Sequence, residues 1–170
     1  TAIRRQRQMC IRDSAMNLLL MRHAKSAWDD MELRDHDRPL NERGRNDAPR
    51  MARVLVENGL IPTLILVSSS VRTRETVDRM LPILGDVEVK VIDALYHATA
   101  TTILNTIHTH SAGADPLMVV GHNPGMETTL SNILGHIAPF PTGTIAHAIV
   151  RPGESGAIQG IWRPRELPPE

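Results

Sequence analysis

The sequence predicts an α/β fold, a three-layer sandwich in which helices cover both faces of a mainly parallel central sheet. Three observations predict it. Short apolar runs alternate with segments of three-four apolar spacing, the pattern of strands and helices wound around a parallel sheet. The runs are apolar at consecutive positions, as strands buried on both faces are. Three of them stop abruptly at polar or reactive residues: Leu18 to Met21 at Arg22-His23, Leu64 to Val67 at Ser68 with Arg72 close behind, and Leu117 to Val120 at Gly121-His122.

The elements follow in order. Asn17 to Met21 is the first strand. Asn41-Glu42-Arg43-Gly44 reads as a helix start with Asn41 as N-cap. Ala48, Met51, Ala52 and Leu55 continue it with amphipathic spacing. Pro49 predicts a kink in its first turns, and Gly59 and Pro62 close it. Leu64 to Val67 is the second strand, followed by a helix from Val71 to Leu84. Val87 to Ile92 is the third strand. Ile103, Leu104 and Ile107 mark a helix over Thr99 to His110. Leu117 to Val120 is the fourth strand, and Met126 to Leu134 the next helix. Thr144 to Val150 and Ala157 to Trp162 read as a terminal strand pair joined by a Pro-Gly turn segment.

A chain of 170 residues fits one domain that buries roughly 70% of its unfolded surface. That domain is expected over residues 16–163. Residues 1–15 carry four arginines without apolar periodicity. They read as a non-native or disordered leader, with Met16 a natural start. Residues 164–170, rich in proline, read as a flexible tail. Lys+Arg and Asp+Glu are both 19, so no net charge draws the chain to nucleic acid or to an anionic membrane. Aromatic residues are 2%, too few for stacking single-stranded bases. No apolar run approaches the ~20 residues of a membrane span. Cys10 is the one cysteine, so no intramolecular disulfide forms and a reducing cytoplasm is the expected location.

The polar strand ends carry the chemistry. In open α/β sheets, ligands bind in the crevice at the carboxyl ends of the strands. If the three strands are neighbours, Arg22, His23, Arg72 and His122 meet at one edge. Arginines bind phosphate oxygens in forks, and their charge keeps a nearby imidazole unprotonated. A neutral histidine is a nucleophile toward phosphorus. A second histidine can stabilise charge on the transferring group.

Arg22-His23-Ala24 resembles the Arg-His-Gly signature of the histidine phosphatase superfamily, the phosphoglycerate-mutase-like fold. Met21 to Trp28, with Asp37-Arg38-Pro39-Leu40-Asn41-Glu42-Arg43-Gly44, is similar to its SixA-type phosphohistidine phosphatase branch. Ser68 to Thr76 resembles the family's Ser-x-x-x-Arg-Ala-x-x-Thr, with Thr73 in place of Ala. Val120 to Gly125 resembles its second histidine motif. The resemblance implies that His23 becomes a transient phosphohistidine, that Arg22 and Arg72 bind phosphoryl oxygens, and that His122 completes the pocket. It implies Arg38 and Asn123 as substrate-binding residues, and neither metal nor cofactor. The family's larger members place a proton-donating acid after the third strand; here that region reads Asp93-Ala94-Leu95-Tyr96-His97-Ala98-Thr99, without a match. Such a lack suits phosphohistidine, whose P–N bond is labile. The expected function is a phosphatase acting on phosphohistidine of a signalling or phosphotransfer protein. The alternatives are a phosphatase of a small phosphorylated metabolite and a catalytically weak phosphoprotein-binding module.

Taken singly, these residues have ordinary explanations. Arg22 suits a surface strand end, His23 a hydrogen-bonded structural histidine, and Ser68 to Ser70 a turn with capping. Arg72 near a helix start opposes the dipole there, which points beyond stability. Glu127 reads first as a favourable charge in a helix's first turn and only second as a proton donor. His36, His97, His136 and His147 match no metal-ligand spacing.

Overall fold

Leu18, Leu19, Leu20 and Met21 are all excluded from solvent, although successive side chains of a strand point to opposite faces. The first strand is therefore covered on both sides. In the computed structural model, which describes residues 14–169, the strands are β1 (Met16–Arg22), β2 (Leu64–Ser68), β3 (Glu88–Ile92), β4 (Leu117–Gly121), β5 (Ile145–Val150) and β6 (Ala157–Trp162). They form one sheet in the order β3-β2-β4-β1-β5-β6. The pairs β3-β2, β2-β4 and β4-β1 are parallel. β5 runs antiparallel to both β1 and β6. The helices are α1 (Glu42–Glu57), α2 (Val71–Leu84), α3 (Ala100–His110) and α4 (Gly125–Leu134).

Two apolar layers follow from the strand alternation. Leu19, Met21, Ile65, Val67, Met118 and Val120 pack with Met51 and Leu55 of α1 and Val77 and Met80 of α2. Leu18, Leu20, Leu66 and Val119 pack on the opposite face with Ile103 of α3, Met126 and Leu130 of α4, and Phe140. The expected three-layer sandwich is thus present, with its parallel strands at the centre.

The topology positions the site. The chain runs outward from β1 through β2 to β3, then returns to insert β4 between β1 and β2. Leu18 pairs with Leu117 and Arg22 with Gly121, while Val67 pairs with Val120. The carboxyl ends of β1, β2 and β4 therefore lie side by side, the condition for the reactive strand ends to meet.

Local capping agrees with the expected boundaries. Asn41 caps α1 by accepting from the Gly44 amide, Ser70 caps α2 by accepting from Thr73, and Thr99 caps α3 by accepting from Thr102. The kink expected at Pro49 is not found as a break, since α1 is one helix from Glu42 to Glu57. An interior proline costs roughly 3 kcal/mol; burial of Ala48, Met51, Ala52 and Leu55 around it offsets that loss. The expected tail is tied down through Pro168. Pro164 is buried in a short 3-10 turn, Leu167 packs on the core, and Arg50 donates to the Pro168 carbonyl. The expected leader lies, up to residue 13, outside the described residues. Among the described residues no helix is long and apolar enough to cross a membrane.

Gly44 shows how tightly α1 holds the loop after β1. The Asn41 amide donates to the Lys25 carbonyl at 2.9 Å, and a Cβ on Gly44 would collide with that same carbonyl oxygen. Backbone cannot rotate away as a flexible side chain can. Gly44→Ala is expected to destabilise the protein by about 1–3 kcal/mol, the range for overpacking. Urea unfolding of the variant tests this; an unchanged midpoint would mean that the Ala24 to Ser26 segment is not clamped by the helix.

Candidate functional site

The site is built on the buried guanidinium of Arg72, in the first turn of α2. Its Nε donates to Nε2 of His23 at 3.3 Å, and one terminal nitrogen lies 3.3 Å from Nδ1 of His122. The same guanidinium donates to the main-chain carbonyl of Asp35 at 2.6 Å and to its carboxylate at 3.0 Å. His23, Arg72 and His122 are all buried, and the two imidazole rings are 5.3 Å apart.

Backbone and hydroxyl bonds hold these side chains. The His23 amide donates to the Gly121 carbonyl, and Gly143 donates to the His23 carbonyl. Thr76 on α2 donates its hydroxyl to the Arg72 carbonyl and accepts from the Ala24 amide at 3.1 Å. One threonine therefore fastens the loop after β1 to the helix that carries Arg72. Thr73 directs its hydroxyl to the Ser68 carbonyl at 2.8 Å, a bond that alanine at this position would lack.

The hydrogen bonds define the tautomers. Arginine only donates, and a carbonyl oxygen only accepts. Nδ1 of His23 is 2.7 Å from the Ala24 carbonyl, so it carries the hydrogen. Nε2 then presents its lone pair toward Arg72. His122 is the mirror case: Nδ1 accepts from Arg72, and Nε2 donates to Ser68 Oγ at 2.8 Å. Ser68 is thus a histidine partner, not merely turn chemistry, while Ser70 supplies the cap. Burial, together with the charges of Arg72, Arg22 and Arg38, lowers the His23 pKa to about 3 against the opposing Ala24 bond. Burial and the neighbouring His23 and Arg72 lower that of His122 to about 2.

Arg22 ends β1 immediately before His23. One terminal nitrogen donates to the Phe140 carbonyl at 3.3 Å, while its Nε is buried without a partner. Burial lowers its pKa, and Glu127 opposes that shift. Asn123 does not join the histidines: its amide donates to the Phe140 carbonyl at 3.0 Å and to Glu127, bracing the carbonyl that Arg22 uses. A cleft beside Arg22 is lined by Asn123, Glu127, Ile137 and Phe140. Arg38 is buried near the centre. It donates to Ser26, Ala27 and the Asp35 carboxylate, and its guanidinium stacks 3.6 Å from the Trp28 ring centroid.

Asp35 is the residue that the sequence did not single out. It opens a 3-10 turn, Asp35–Asp37, and its carboxylate meets Arg38, Arg72, the Tyr96 hydroxyl at 2.6 Å and His97 at 2.9 Å. Burial opposes its ionisation, but these hydrogen bonds and the Arg72 charge hold its carboxyl well below the usual range. An acid between Arg72 and a residue of the Tyr96-His97 pair has no periodicity to betray it. The available signal was the acidic Asp35-His36-Asp37 run placed against Arg38. Among the described residues no group of three or more His, Cys, Asp or Glu is arranged to hold a metal ion.

The sign of the pH dependence follows. Unfolded, His23 titrates near 6.5, and folded near 3, so the unfolded chain binds more protons between those values. The stability from burying it neutral is present above 6.5 and is lost as pH falls through 3. His122 acts in the same direction. Unfolding free energy is expected to fall as pH drops from about 6.5 toward 3, and less steeply in His23→Asn than in the parent. Parallel slopes in urea titrations would refute the neutral burial of His23. Nuclear magnetic resonance of the ring protons should show both histidines neutral at pH 6.

With this geometry in view, the relatives are informative. The profile of the histidine phosphatase superfamily (branch 1) matches residues 18–101. An uncharacterized protein of Mycobacterium tuberculosis is 34% identical over 164 residues, which is 85% of this chain and 100% of its own length. An uncharacterized chloroplastic protein of Arabidopsis thaliana is 41% identical over 128 residues and 69% of this chain, but the chain spans only 59% of that relative's length. A solved structure assigned as the phosphohistidine phosphatase SixA of Agrobacterium tumefaciens superimposes with a TM-score of 0.78 at 30% identity, over 87% of this chain and 98% of its own. The α/β fold, the buried cluster of His23, Arg72 and His122 at the strand ends and these relatives agree, and the chain belongs to branch 1 of the histidine phosphatase superfamily, beside its SixA-type members.

Proposed function

We propose that the protein is a phosphatase working through a covalent phosphohistidine on His23, with phosphohistidine of a signalling or phosphotransfer protein as its substrate. The observation that carries this is the unprotonated Nε2 of His23, fixed by the Ala24 carbonyl on Nδ1 and facing the Arg72 guanidinium. A neutral imidazole at the point of an arginine fork is a nucleophile aimed at phosphorus.

In this reading Arg72 and Arg22 take the phosphoryl oxygens, and Arg38 adds positive charge from below. His122 stands over the transferring group from the β4 end. Nε2 of His23 forms the N–P bond as the bond to the leaving group breaks. Water then attacks phosphorus, the N–P bond breaks and inorganic phosphate departs. The arginines supply the charge stabilisation that phosphoryl transfer needs. Asn123 serves by holding the Phe140 carbonyl against which Arg22 rests.

A protein substrate is supported by the loop between β1 and the 3-10 turn. Trp28, Met31 and Leu33 are exposed there, Met31 by 90%, and Trp28 is anchored on Arg38 at the site. Exposed apolar side chains on a loop that reaches the site suit contact with another protein surface. The cleft at Arg22 favours the second reading, a small phosphorylated metabolite whose body would lie against Ile137 and Phe140.

His23→Ala is expected to abolish both turnover and the acid-labile phosphoryl label left by a phosphorylated donor; a label that persists sinks the nucleophile assignment. Arg72→Gln should cost about 10²–10³ in kcat, the scale for one lost donor to a transition-state oxyanion. Chelators should leave turnover unchanged. Side-by-side rates on a phosphohistidine protein and on a panel of monoesters separate the two substrate readings, and faster monoester hydrolysis would favour the metabolite.

A further inference from the structure

Phosphoryl transfer needs a proton for the leaving atom, and the rim of the site contains several groups that carry one. Asp35 is excluded, because its hydrogen bonds and Arg72 keep it ionised. Tyr96 gives its hydroxyl hydrogen to Asp35, and burial with that bond raises its pKa. Glu127 is engaged elsewhere: it accepts from Asn123 and from the Phe140 amide, both at 3.3 Å, on the Arg22 side of the site.

His97 remains. It follows the 3-10 turn Asp93–Leu95 and has φ of 50°, a left-handed conformation that costs a residue with a side chain and persists where the surroundings enforce it. Its ring centroid lies 5.2 Å from that of His122 and 4.2 Å from that of Tyr96. Nε2 is 2.9 Å from the Asp35 carboxylate, so Nε2 carries a hydrogen and donates it. Asp35 thereby orients the ring and leaves Nδ1 as the nitrogen able to exchange a proton. The side chain is half exposed, so the ring is open to solvent while it touches His122. Strained backbone, an orienting carboxylate and a place beside His122 converge on one imidazole.

We infer that His97, oriented by Asp35, is the proton donor to the leaving group. This rests on the phosphoryl-transfer reading above and deepens it. As Nε2 of His23 bonds to phosphorus, the P–O or P–N bond of the substrate breaks with its electron pair on the leaving atom. That atom takes the Nδ1 proton of the His97 imidazolium. His97, now neutral, accepts a proton from the water that attacks the phosphohistidine. The N–P pair returns to His23, phosphate leaves and His97 is again charged. One water is consumed for each bond hydrolysed. A donor of this kind extends the substrate class to phosphate monoesters whose alcohols leave poorly.

The test is a series of aryl phosphates of increasing leaving-group basicity, from 2,4-dinitrophenyl to phenyl phosphate. His97→Asn is the informative variant, since asparagine tolerates positive φ, can still donate to Asp35 and has no proton to transfer. The expected loss in kcat/KM is small for the dinitrophenyl ester and rises to about 10²-fold for phenyl phosphate, the lower scale of general acid catalysis. His97→Gly, which also accepts that φ, should show the same slope. A uniform loss along the series, or none, overturns the assignment, because a merely structural histidine would not discriminate by leaving group. Rapid-quench trapping of the parent protein separates the two levels. If no acid-labile adduct forms on His23, phosphoryl transfer itself fails and the donor role falls with it.

Discussion

Arg72 is a permanent charge with 2% of its surface exposed, and a buried charge is tolerated only when its donors are met. The structure meets them with Nε2 of His23, Nδ1 of His122 and both the carbonyl and carboxylate of Asp35. Each of these bonds constrains its partner. Because arginine cannot accept, both histidines must turn a lone pair toward it, and each must find an acceptor for the hydrogen on its other nitrogen. Ala24 and Ser68 provide those acceptors. The tautomer of His23 therefore follows from one cation placed against the dipole of α2, and its neutral state from burial first and the neighbouring arginine charges second.

The same cation explains the loop that follows β1. Asp35 reaches Arg72 from a short 3-10 turn, and the turn is held to the sheet edge by Arg38, Tyr96 and His97. Arg38 in turn stacks on Trp28. The exposed Trp28 beside the site thus takes its position from a chain of polar contacts that begins in the buried core.

Arg22, His23 and His122 were legible because they stand at the ends of apolar runs, and Arg72 because it opens the helix just after one; consecutive apolar residues mark a central strand. The topology then decides what strand ends become, and the insertion of β4 between β1 and β2 brings three of them together. Asn41, Ser70 and Thr99 were legible or close to it because capping is local. Asp35 and His97 were not, since their pairing joins two irregular segments 62 residues apart and neither segment has a period. His97 also depends on a backbone conformation that no histidine advertises. Asn123 braces the Phe140 carbonyl through its amide nitrogen, while its Oδ1 is buried without a partner and the residue lines the cleft at Arg22. In the tail, Pro164 is buried and Leu167 packs against the core.

The late insertion of β4 has a consequence for how the chain acquires activity. Pairing Leu18 with Leu117 closes a loop that contains three helices and two strands, and such non-local contacts form slowly compared with helices. Until β4 docks, His122 is absent from the site and Gly121 is not available to hold the His23 amide. A chain that has its helices but not this central strand would look largely folded by helix content and yet lack the assembled cluster of His23, Arg72 and His122. Completion of that cluster in this topology therefore reports the final closure of the sheet, not the formation of its parts.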